Sequence, residues 1–195
     1  MDEMLVCAYE TSSLLALLRS QAIESSIKCF ELECTPSDKE VDGKEKVNHV
    51  TIFEQLGLHE FLQQTSEFAD LMLFTAGLEG YAKPLIDKIA VHKRFVSRHY
   101  RPLTVTTLVH FISAWSTREH VKDLSCLTKD FSRIVTVDNH PFSFLLEPWN
   151  GISCVTFSAT QGGDDELSRC SFLPHKFFFQ SILMRVSGCT RKTLH

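Results

Sequence analysis

The stretch around residue 138 constrains the fold most, because it contains a strand that ends abruptly in polar residues. Ile134–Val137 is mostly β-branched, which is typical of a buried strand, and Asp138 and Asn139 follow it directly. Pro141 comes shortly after and cannot continue a β-ladder. In an α/β protein the site lies at the carboxyl ends of the parallel strands, so Asp138 and Asn139 would lie side by side at its mouth. Their hard oxygens suit a small cation such as Mg²⁺, although the stretch also fits a strand that ends in a polar turn.

Composition and charge limit the classes of protein to which the chain can belong. The chain has 195 residues, of which 44% are apolar and 23% charged, and this predicts one domain with a sizeable core. A net charge of -4 gives no reason to expect nucleic acid or an anionic membrane as a partner. The longest apolar-rich run, Phe177–Val186, is too short to span a bilayer. The 7 cysteines are scattered without a C-x-x-C pair, and with no signal peptide in view we expect a reducing compartment.

Local patterns predict strands that alternate with helices. Alternating residues over Ser26–Cys34 and Val47–Phe53 indicate two strands that pair as a hairpin. The run Asp70–Phe74 is apolar after its first residue and fits a strand that is buried on both faces. Strands that alternate with helices favour a mostly parallel sheet, with the hairpin as an insertion.

Helical periodicity follows the predicted hairpin. Gly57 opens a helix whose apolar face carries Leu58, Phe61, Leu62 and Phe68. Other predicted elements are a loop passing into a short helix over Thr11–Ala22, a helix over Pro84–Ile89, a strand over Arg94–Tyr100, a strand over Ser153–Phe157, and a helix over Asp164–Phe172.

Four short motifs occur in a fixed order, and they are specific together although each is weak alone. They are Asp2–Val6, Leu73–Ala76, Val121–Ser125 and Val137–Pro141. In this order and spacing, residues 2–167 resemble the RNA polymerase II C-terminal-domain phosphatases, in their small-phosphatase-like branch of the haloacid dehalogenase superfamily. Further support comes from Arg101, Phe142–Phe144 and Asn150. The resemblance implies a haloacid-dehalogenase-like, Rossmann-type α/β fold with a parallel sheet and a small β-hairpin insertion.

The resemblance also implies roles for individual residues. The family's first motif carries two acids: one attacks phosphorus and forms an aspartyl-phosphate, and the other transfers protons to the leaving oxygen and from water. Asp2 matches the second acid. Thr75, with Ala76 beside it, matches the group that holds a phosphate oxygen, and Lys122 matches the cation that offsets phosphate charge. The implied catalytic residues are therefore Asp2, Thr75 and Lys122, and the implied phosphate-binding residues are Thr75, Ala76 and Lys122.

Mg²⁺ is the cofactor that the resemblance implies, with Asp2, Asp138 and Asn139 as its ligands. The metal would let two anions, a carboxylate and a phosphate, approach each other. The implied partner is a phosphorylated serine or threonine in a protein segment. Neither nucleic acid nor a membrane is an expected direct partner, and the expected location is the nucleus or the cytoplasm.

Each of these residues also has an ordinary structural interpretation. Thr75 fits a hydroxyl that closes a strand end. Lys122 beside Asp123 fits an exposed pair at a helix start, and Asp2 fits a terminal charge. The order of all four motifs favours shared ancestry over these separate accounts. His140 is interpreted as a turn residue rather than a ligand.

The chain departs from the family pattern at its start. With Asp2 as the second acid, the nucleophile would precede Met1, and Met4 stands in the place of the motif threonine. The first strand, which is the central one in this superfamily, is then truncated, and its neighbours would face a gap with unpaired backbone groups. Each such buried group costs about 1–3 kcal/mol, against a total stability of about 5–15 kcal/mol. We therefore expect an incomplete or alternatively spliced form whose phosphatase activity is lost or severely impaired.

Two later segments also depart from the family pattern. Thr107–Ser116 fits an insertion, and from Ser168 a phenylalanine cluster and a basic tail replace the expected terminal helix. The predicted division is a phosphatase-like domain over residues 1–167 and a divergent tail over residues 168–195. Two alternative functions remain open: a phosphoprotein-binding module without catalysis, and a docking domain of the mitochondrial import-channel type.

Overall fold

The computed structural model describes residues 4–35, 47–90, 94–101, 105–110, 116–159 and 182–186, with the backbone alone for 105–110, 116–120 and 182–186. The helices are α1 (Ala16–Glu24), α2 (Leu58–Ser66) and α3 (Glu79–Ile89). The strands are β1 (Val6–Glu10), β2 (Cys29–Cys34), β3 (Asn48–Glu54), β4 (Ala69–Phe74), β5 (Phe95–His99), β6 (Val105–His110), β7 (Ser116–Val121), β8 (Ile134–Asp138), β9 (Gly151–Ser153) and β10 (Ile182–Val186). Single 3₁₀ turns lie at Leu124–Cys126, Phe131–Arg133, Pro141–Phe144 and Pro148–Asn150.

The predicted hairpin forms part of a three-stranded antiparallel sheet with the order β1-β3-β2. β2 pairs with β3 from Cys29 opposite Phe53 to Cys34 opposite Asn48, which confirms the pairing that the sequence indicates. β1 lies along the other side of β3, with Cys7 opposite Phe53. No pattern predicts β1, because the sequence Val-Cys-Ala-Tyr-Glu does not alternate between apolar and polar residues.

A five-stranded sheet with the order β5-β4-β10-β8-β9 contains the two strands, β4 and β8, whose carboxyl ends lead to the predicted site residues. β4 pairs with β5 in parallel, with Phe74 opposite His99, and β8 pairs with β9 in parallel, with Asp138 opposite Ser153. β10 is antiparallel to both β4 and β8, so β4 and β8 run in the same direction. The mostly parallel sheet that the sequence predicts is therefore present, and the carboxyl ends of β4 and β8 lie at one edge.

The expected gap in the middle of this sheet is wrong for the described part of the chain. β10 lies between β4 and β8, and it pairs with β4 from Ile182 opposite Leu73 to Val186 opposite Ala69. A strand that follows β9 in the chain thus supplies backbone partners where the predicted gap would leave none. The division at residue 167 stays a prediction, because residues 160–181 lie outside the described ranges.

Helix α2 begins and packs as its sequence predicts but ends earlier. Gly57 precedes it with φ 75°, a left-handed conformation that favours glycine. Leu58, Phe61 and Leu62 are buried in the main apolar cluster. Phe68 is 55% exposed because it lies beyond the helix end and no longer shares the buried face.

One apolar cluster joins both sheets and the helices that cover them. It contains Met4 and Ile52 from the region of the three-stranded sheet, together with Leu73, Leu85 and Val137. Met4 is fully buried, so the residue in the place of the motif threonine serves the core. Among the described helices, none has the length and apolar character that crossing a membrane requires.

Helix α3 begins earlier than its sequence predicts. α3 begins at Glu79, so Pro84 lies inside the helix rather than at its start. On either side of residues 111–115, which lie outside the described ranges, β6 pairs antiparallel with β7 from Val105 opposite Val121 to His110 opposite Ser116. The helix predicted over Asp164–Phe172 lies outside the described residues.

Candidate functional site

Two of the predicted site residues, Lys122 and Asp138, form a buried ion pair. Asp138 ends β8, and Lys122 directly follows β7. The ammonium group of Lys122 donates a hydrogen bond to Oδ2 of Asp138, and the two side chains are 3% and 6% exposed. The backbone N–H of Lys122 donates to the carbonyl of Ser143 at 2.8 Å, which fixes the position from which the lysine reaches the strand end.

The electrostatic environment keeps Asp138 ionised. Burial acts to raise the pKa of this carboxyl, but lowering influences outweigh it; the charge of Lys122 is the largest of them, and the hydrogen bonds from Lys122 and from the His140 N–H act in the same direction. The pKa of Asp138 therefore lies well below its ordinary value. The His140 N–H donates to Oδ1 at 2.8 Å, so both carboxylate oxygens are engaged.

Thr75 lies in the turn that follows β4 and is oriented by its neighbours. Its N–H donates to the carbonyl of His99 at 2.9 Å, and its Oγ1 accepts a hydrogen bond from the Gly77 N–H at 3.0 Å. A hydroxyl that accepts one bond can still donate its own hydrogen to an anion. The exposed Arg101 lies beside the same turn, with its Nε donating to the carbonyl of Ala76 at 2.7 Å.

The strand register brings these groups to the same edge of the sheet. Ile182 lies opposite Leu73 of β4, and Met184 lies opposite Val135 of β8, so Leu73 and Val137 are at the level of Ile182. Thr75 and Asp138 therefore lie at one rim of the sheet. The strands that they follow and end, β4 and β8, have one strand between them, so the two strands are two strand spacings apart, or about 10 Å.

The other two predicted metal ligands are Asp2 and Asn139. Asp2 lies outside the described residues. Asn139 is half-buried, and its amide nitrogen lies 3.5 Å from Oγ1 of Thr156. His140 is exposed, and its ring lies 5.5 Å from the ring of Phe142, which agrees with its interpretation as a turn residue.

Oδ2 of Asp138, one of the predicted Mg²⁺ ligands, is paired with the ammonium group of Lys122. A divalent cation against Oδ2 of Asp138 would take the place that the ammonium group of Lys122 occupies, and the two positive groups would repel each other. No group of three or more His, Cys, Asp or Glu side chains that could hold a metal occurs in the described part of the chain. Magnesium, whose predicted ligands include Asp2, stays a prediction.

A cavity of about 400 Å³, which the motifs did not indicate, has Thr156 in its lining. Tyr9, Val50 and Tyr81 give it an apolar lining, and Thr156 links it to Asn139. The sequence offers no signal for this cavity, because its walls come from β1, β2, β3, α3 and a loop that meet only in the fold. Arg101 was noted as part of the motif order, but its position against Ala76 depends on the same tertiary arrangement.

Comparison with known proteins yields one family and several relatives. The profile described as "NLI interacting factor-like phosphatase" matches residues 1–178. Phosphatase Herzog of Drosophila melanogaster is 33% identical over 113 residues, which cover 58% of this chain and 29% of that protein. Human carboxy-terminal domain RNA polymerase II polypeptide A small phosphatase 1 is 33% identical over 113 residues, which cover 58% of this chain and 39% of the relative. The human mitochondrial import inner membrane translocase subunit TIM50 is 32% identical over 97 residues, which cover 50% of this chain and 25% of the relative.

The chain spans less than half the length of each of these relatives. Among solved structures, the fission yeast RNA polymerase II CTD phosphatase Fcp1 bound to beryllium fluoride is similar, with a TM-score of 0.58 and 20% identity. The similarity covers 80% of this chain and 40% of that one. At this level of identity the likeness concerns the fold, and it confirms the predicted haloacid-dehalogenase-like α/β class.

Proposed function

Because the chain belongs to the NLI interacting factor-like phosphatase family, we propose that it binds a phosphorylated serine or threonine segment of a protein at the rim formed by Thr75, Lys122 and Asp138. The observation that carries this proposal is the buried Lys122–Asp138 pair at the edge of the sheet where Thr75 also lies. A buried ammonium group is a strong partner for a phosphate oxygen, because little water screens the attraction.

Binding would exchange one anion for another at Lys122. A phosphate dianion carries more charge than the carboxylate of Asp138 and can compete with it for the ammonium group. The hydroxyl of Thr75 can donate a second hydrogen bond, since its oxygen already accepts the bond from Gly77. The guanidinium group of Arg101, held beside Ala76, supplies a further positive charge at the same turn.

The geometry supports binding better than hydrolysis. A carboxylate that attacks phosphorus needs a free oxygen aimed at it. Both oxygens of Asp138 accept hydrogen bonds, one from Lys122 and one from the His140 N–H. Asp138 therefore suits a structural and charge-balancing role, and we propose that the bound segment is retained with its phosphate in place.

The neighbouring cavity would select the residues beside the phosphate. Tyr9, Val50 and Tyr81 line a space of about 400 Å³ that suits an apolar or aromatic side chain of the bound segment. Thr156 connects this cavity to the rim through Asn139. We propose that the phosphorylated residue lies at the rim while an apolar neighbour enters the cavity.

Fluorescence anisotropy with a labelled phosphoserine peptide tests the proposal. The variant Lys122→Met/Asp138→Asn removes both charges together, so it leaves no unpaired charge in the core. We expect it to weaken binding by about tenfold to a hundredfold, the range for one charge-assisted hydrogen bond. Lys129→Met, which removes an exposed lysine, is the matched control and should bind as the unmodified chain does. Equal affinity of the paired variant and the control would exclude this rim as the binding site.

Release of inorganic phosphate from the same peptide separates binding from catalysis. We expect none above background, with or without Mg²⁺ in the buffer. Phosphate release that disappears in Lys122→Met/Asp138→Asn would identify the chain as an active phosphatase instead. We also propose a nuclear or cytoplasmic location. A fluorescent fusion found in mitochondria would instead favour the alternative of a docking domain of the mitochondrial import-channel type.

A further inference from the structure

A second cavity lies where the end of β3 meets the start of α2, and its lining carries charges of both signs. It has a volume of about 200 Å³. A water molecule takes up about 30 Å³ of the liquid, so the space suits a small organic molecule rather than a single bound water. The titratable residues of its lining are Lys28, Glu54, His59 and Glu60. None of them belongs to the rim at which phosphate binding is proposed.

The negative partner in this cavity is the carboxylate of Glu54. Its side chain is only 9% exposed, and Oε2 accepts a hydrogen bond from Nε2 of His59 at 2.8 Å. A carboxylate can accept about four hydrogen bonds, so the bond from His59 leaves capacity for a further donor. The hydrogen bond also fixes the orientation of the carboxylate, which makes Glu54 a preorganised partner for a positively charged group.

Positive partners come from Lys28 and from the start of α2. The N–H of Glu54 donates to the carbonyl of Lys28 at 2.8 Å, which holds the exposed lysine next to the buried carboxylate. Gly57 precedes α2 and offers no side-chain cap, so the N–H groups of His59 and Glu60 in the first turn have no partner within the helix. Such N–H groups, at the positive end of the helix dipole, attract a carboxylate.

The mixed charges restrict the class of ligand that the cavity can hold. A simple anion would be repelled by Glu54 and Glu60, and a simple cation would be repelled by Lys28 and by the start of α2. A molecule that carries both a carboxylate and an ammonium group can pair with both kinds of partner. Leu56 and Leu58 complete the lining with apolar surface, which suits an aliphatic chain.

We propose that this cavity binds a small aliphatic amino acid in its zwitterionic form, with the ammonium group at Glu54 and the carboxylate at Lys28 and the first-turn N–H groups of α2. Both contacts are charge-assisted hydrogen bonds, and the one to Glu54 forms where little water screens it. The site uses none of the residues that hold phosphate in the proposed function, so the two proposals stand or fall separately.

An NMR titration of the isotopically labelled full chain with L-leucine tests the proposal. We expect the backbone amide signals of His59 and Glu60 to shift and to saturate as the ligand is added. Isocaproate has the carbon chain and carboxylate of leucine without the amine, and isoamylamine has the amine without the carboxylate. Each should bind at least about tenfold more weakly, because one charge-assisted hydrogen bond is lost.

The matched ligands also define the results that would overturn the proposal. Isocaproate binding as tightly as leucine would make the cavity a simple anion site at the start of α2. Isoamylamine binding as tightly would make it a simple cation site. If leucine produces no saturable shift at His59 and Glu60, the cavity does not bind an aliphatic amino acid.

Three variants locate the two charged contacts. Glu54→Gln keeps the size of the side chain but removes its charge, and we expect it to weaken leucine binding by about tenfold or more. Lys28→Met, at an exposed position, should weaken it by about threefold. Glu67→Gln removes an exposed carboxylate after the other end of α2 and should bind as the unmodified chain does. Equal affinity of Glu54→Gln and Glu67→Gln would overturn the proposal, and if Glu54→Gln does not fold, equal affinity of Lys28→Met and Glu67→Gln would do so.

Discussion

Lys122 and Asp138 depend on each other, because each is a charge that the fold removes from water. Removing one partner leaves the other buried and unpaired, and the cost of such a change is about 3–5 kcal/mol. We expect Asp138→Asn to lower the free energy of unfolding by about this amount, measured by urea denaturation. Lys122→Met/Asp138→Asn should be within about 1 kcal/mol of the unmodified chain, since no isolated charge remains. A double variant as unstable as the single one would show that packing, rather than charge pairing, sets the cost.

His99 should give the protein a pH-dependent stability near neutrality. Burial lowers the pKa of His99 from 6.5, so the folded chain binds this proton less readily than the unfolded chain. Stability is therefore complete above about pH 6.5 and falls as the pH drops from there toward the folded pKa. We expect His99→Gln to lose this part of the pH dependence in urea titrations, while an exposed control, His140→Gln, retains it. Identical slopes for all three proteins would contradict the role of His99.

For individual residues, the sequence predicts which ones belong to the site better than it predicts their contacts. Thr75, Lys122 and Asp138 follow strands in a recognisable order, so their presence at one rim could be predicted. The hydrogen bond from Arg101 to Ala76 could not, because it depends on how two loops meet. The engagement of Asp138 by the His140 N–H is likewise a property of the folded turn.

Elements whose patterns are local could be predicted, whereas those defined by distant pairing could not. Clear alternation or an apolar run marks the strands β2, β3 and β4. Gly57 marks the start of α2, and in the structure it has the left-handed φ of 75° that glycine allows. β10 has a β-prone sequence, but nothing local to Ile182–Val186 says that it pairs with β4 and β8. The gap expected in the sheet followed from this limitation, since a strand can be supplied from any part of a chain.

The 3₁₀ turn at Pro148–Asn150 fastens the beginning of β8. Nδ2 of Asn150 donates to the carbonyls of Phe131 and Ile134 at 2.6 and 2.8 Å. We expect Asn150→Ala to destabilise the chain by about 1–3 kcal/mol, because two hydrogen bonds are lost and their carbonyls are left without this donor. Trp149→Ala in the same turn is the matched control: its side chain is 95% exposed, and its change should stay within about 0.5 kcal/mol. Similar losses for both variants, in urea denaturation, would indicate a general sensitivity of the turn.

At the scale of the whole molecule, one apolar cluster connects the two larger sheets. Met4, Leu73 and Val137 belong to this cluster, although they come from three separate motifs. The order of those motifs was sufficient to predict the α/β class. It was not sufficient to predict which strand is central, because strand order depends on pairing across the chain rather than on sequence order.

Acid unfolding should report the Lys122–Asp138 pair as a property of the whole chain. The pKa of Asp138 in the folded state lies below its ordinary value of 3.8, so the unfolded chain binds this proton more readily. The stabilisation is fully present above that ordinary value and is lost as the pH falls from it toward the folded pKa. Urea midpoints measured from about pH 7 to about pH 3 should therefore fall more steeply for the unmodified chain than for Lys122→Met/Asp138→Asn, with the difference arising below about pH 4. All other carboxyl groups are common to the two proteins, so parallel curves across this range would mean that Asp138 is not held ionised by Lys122 in the folded protein.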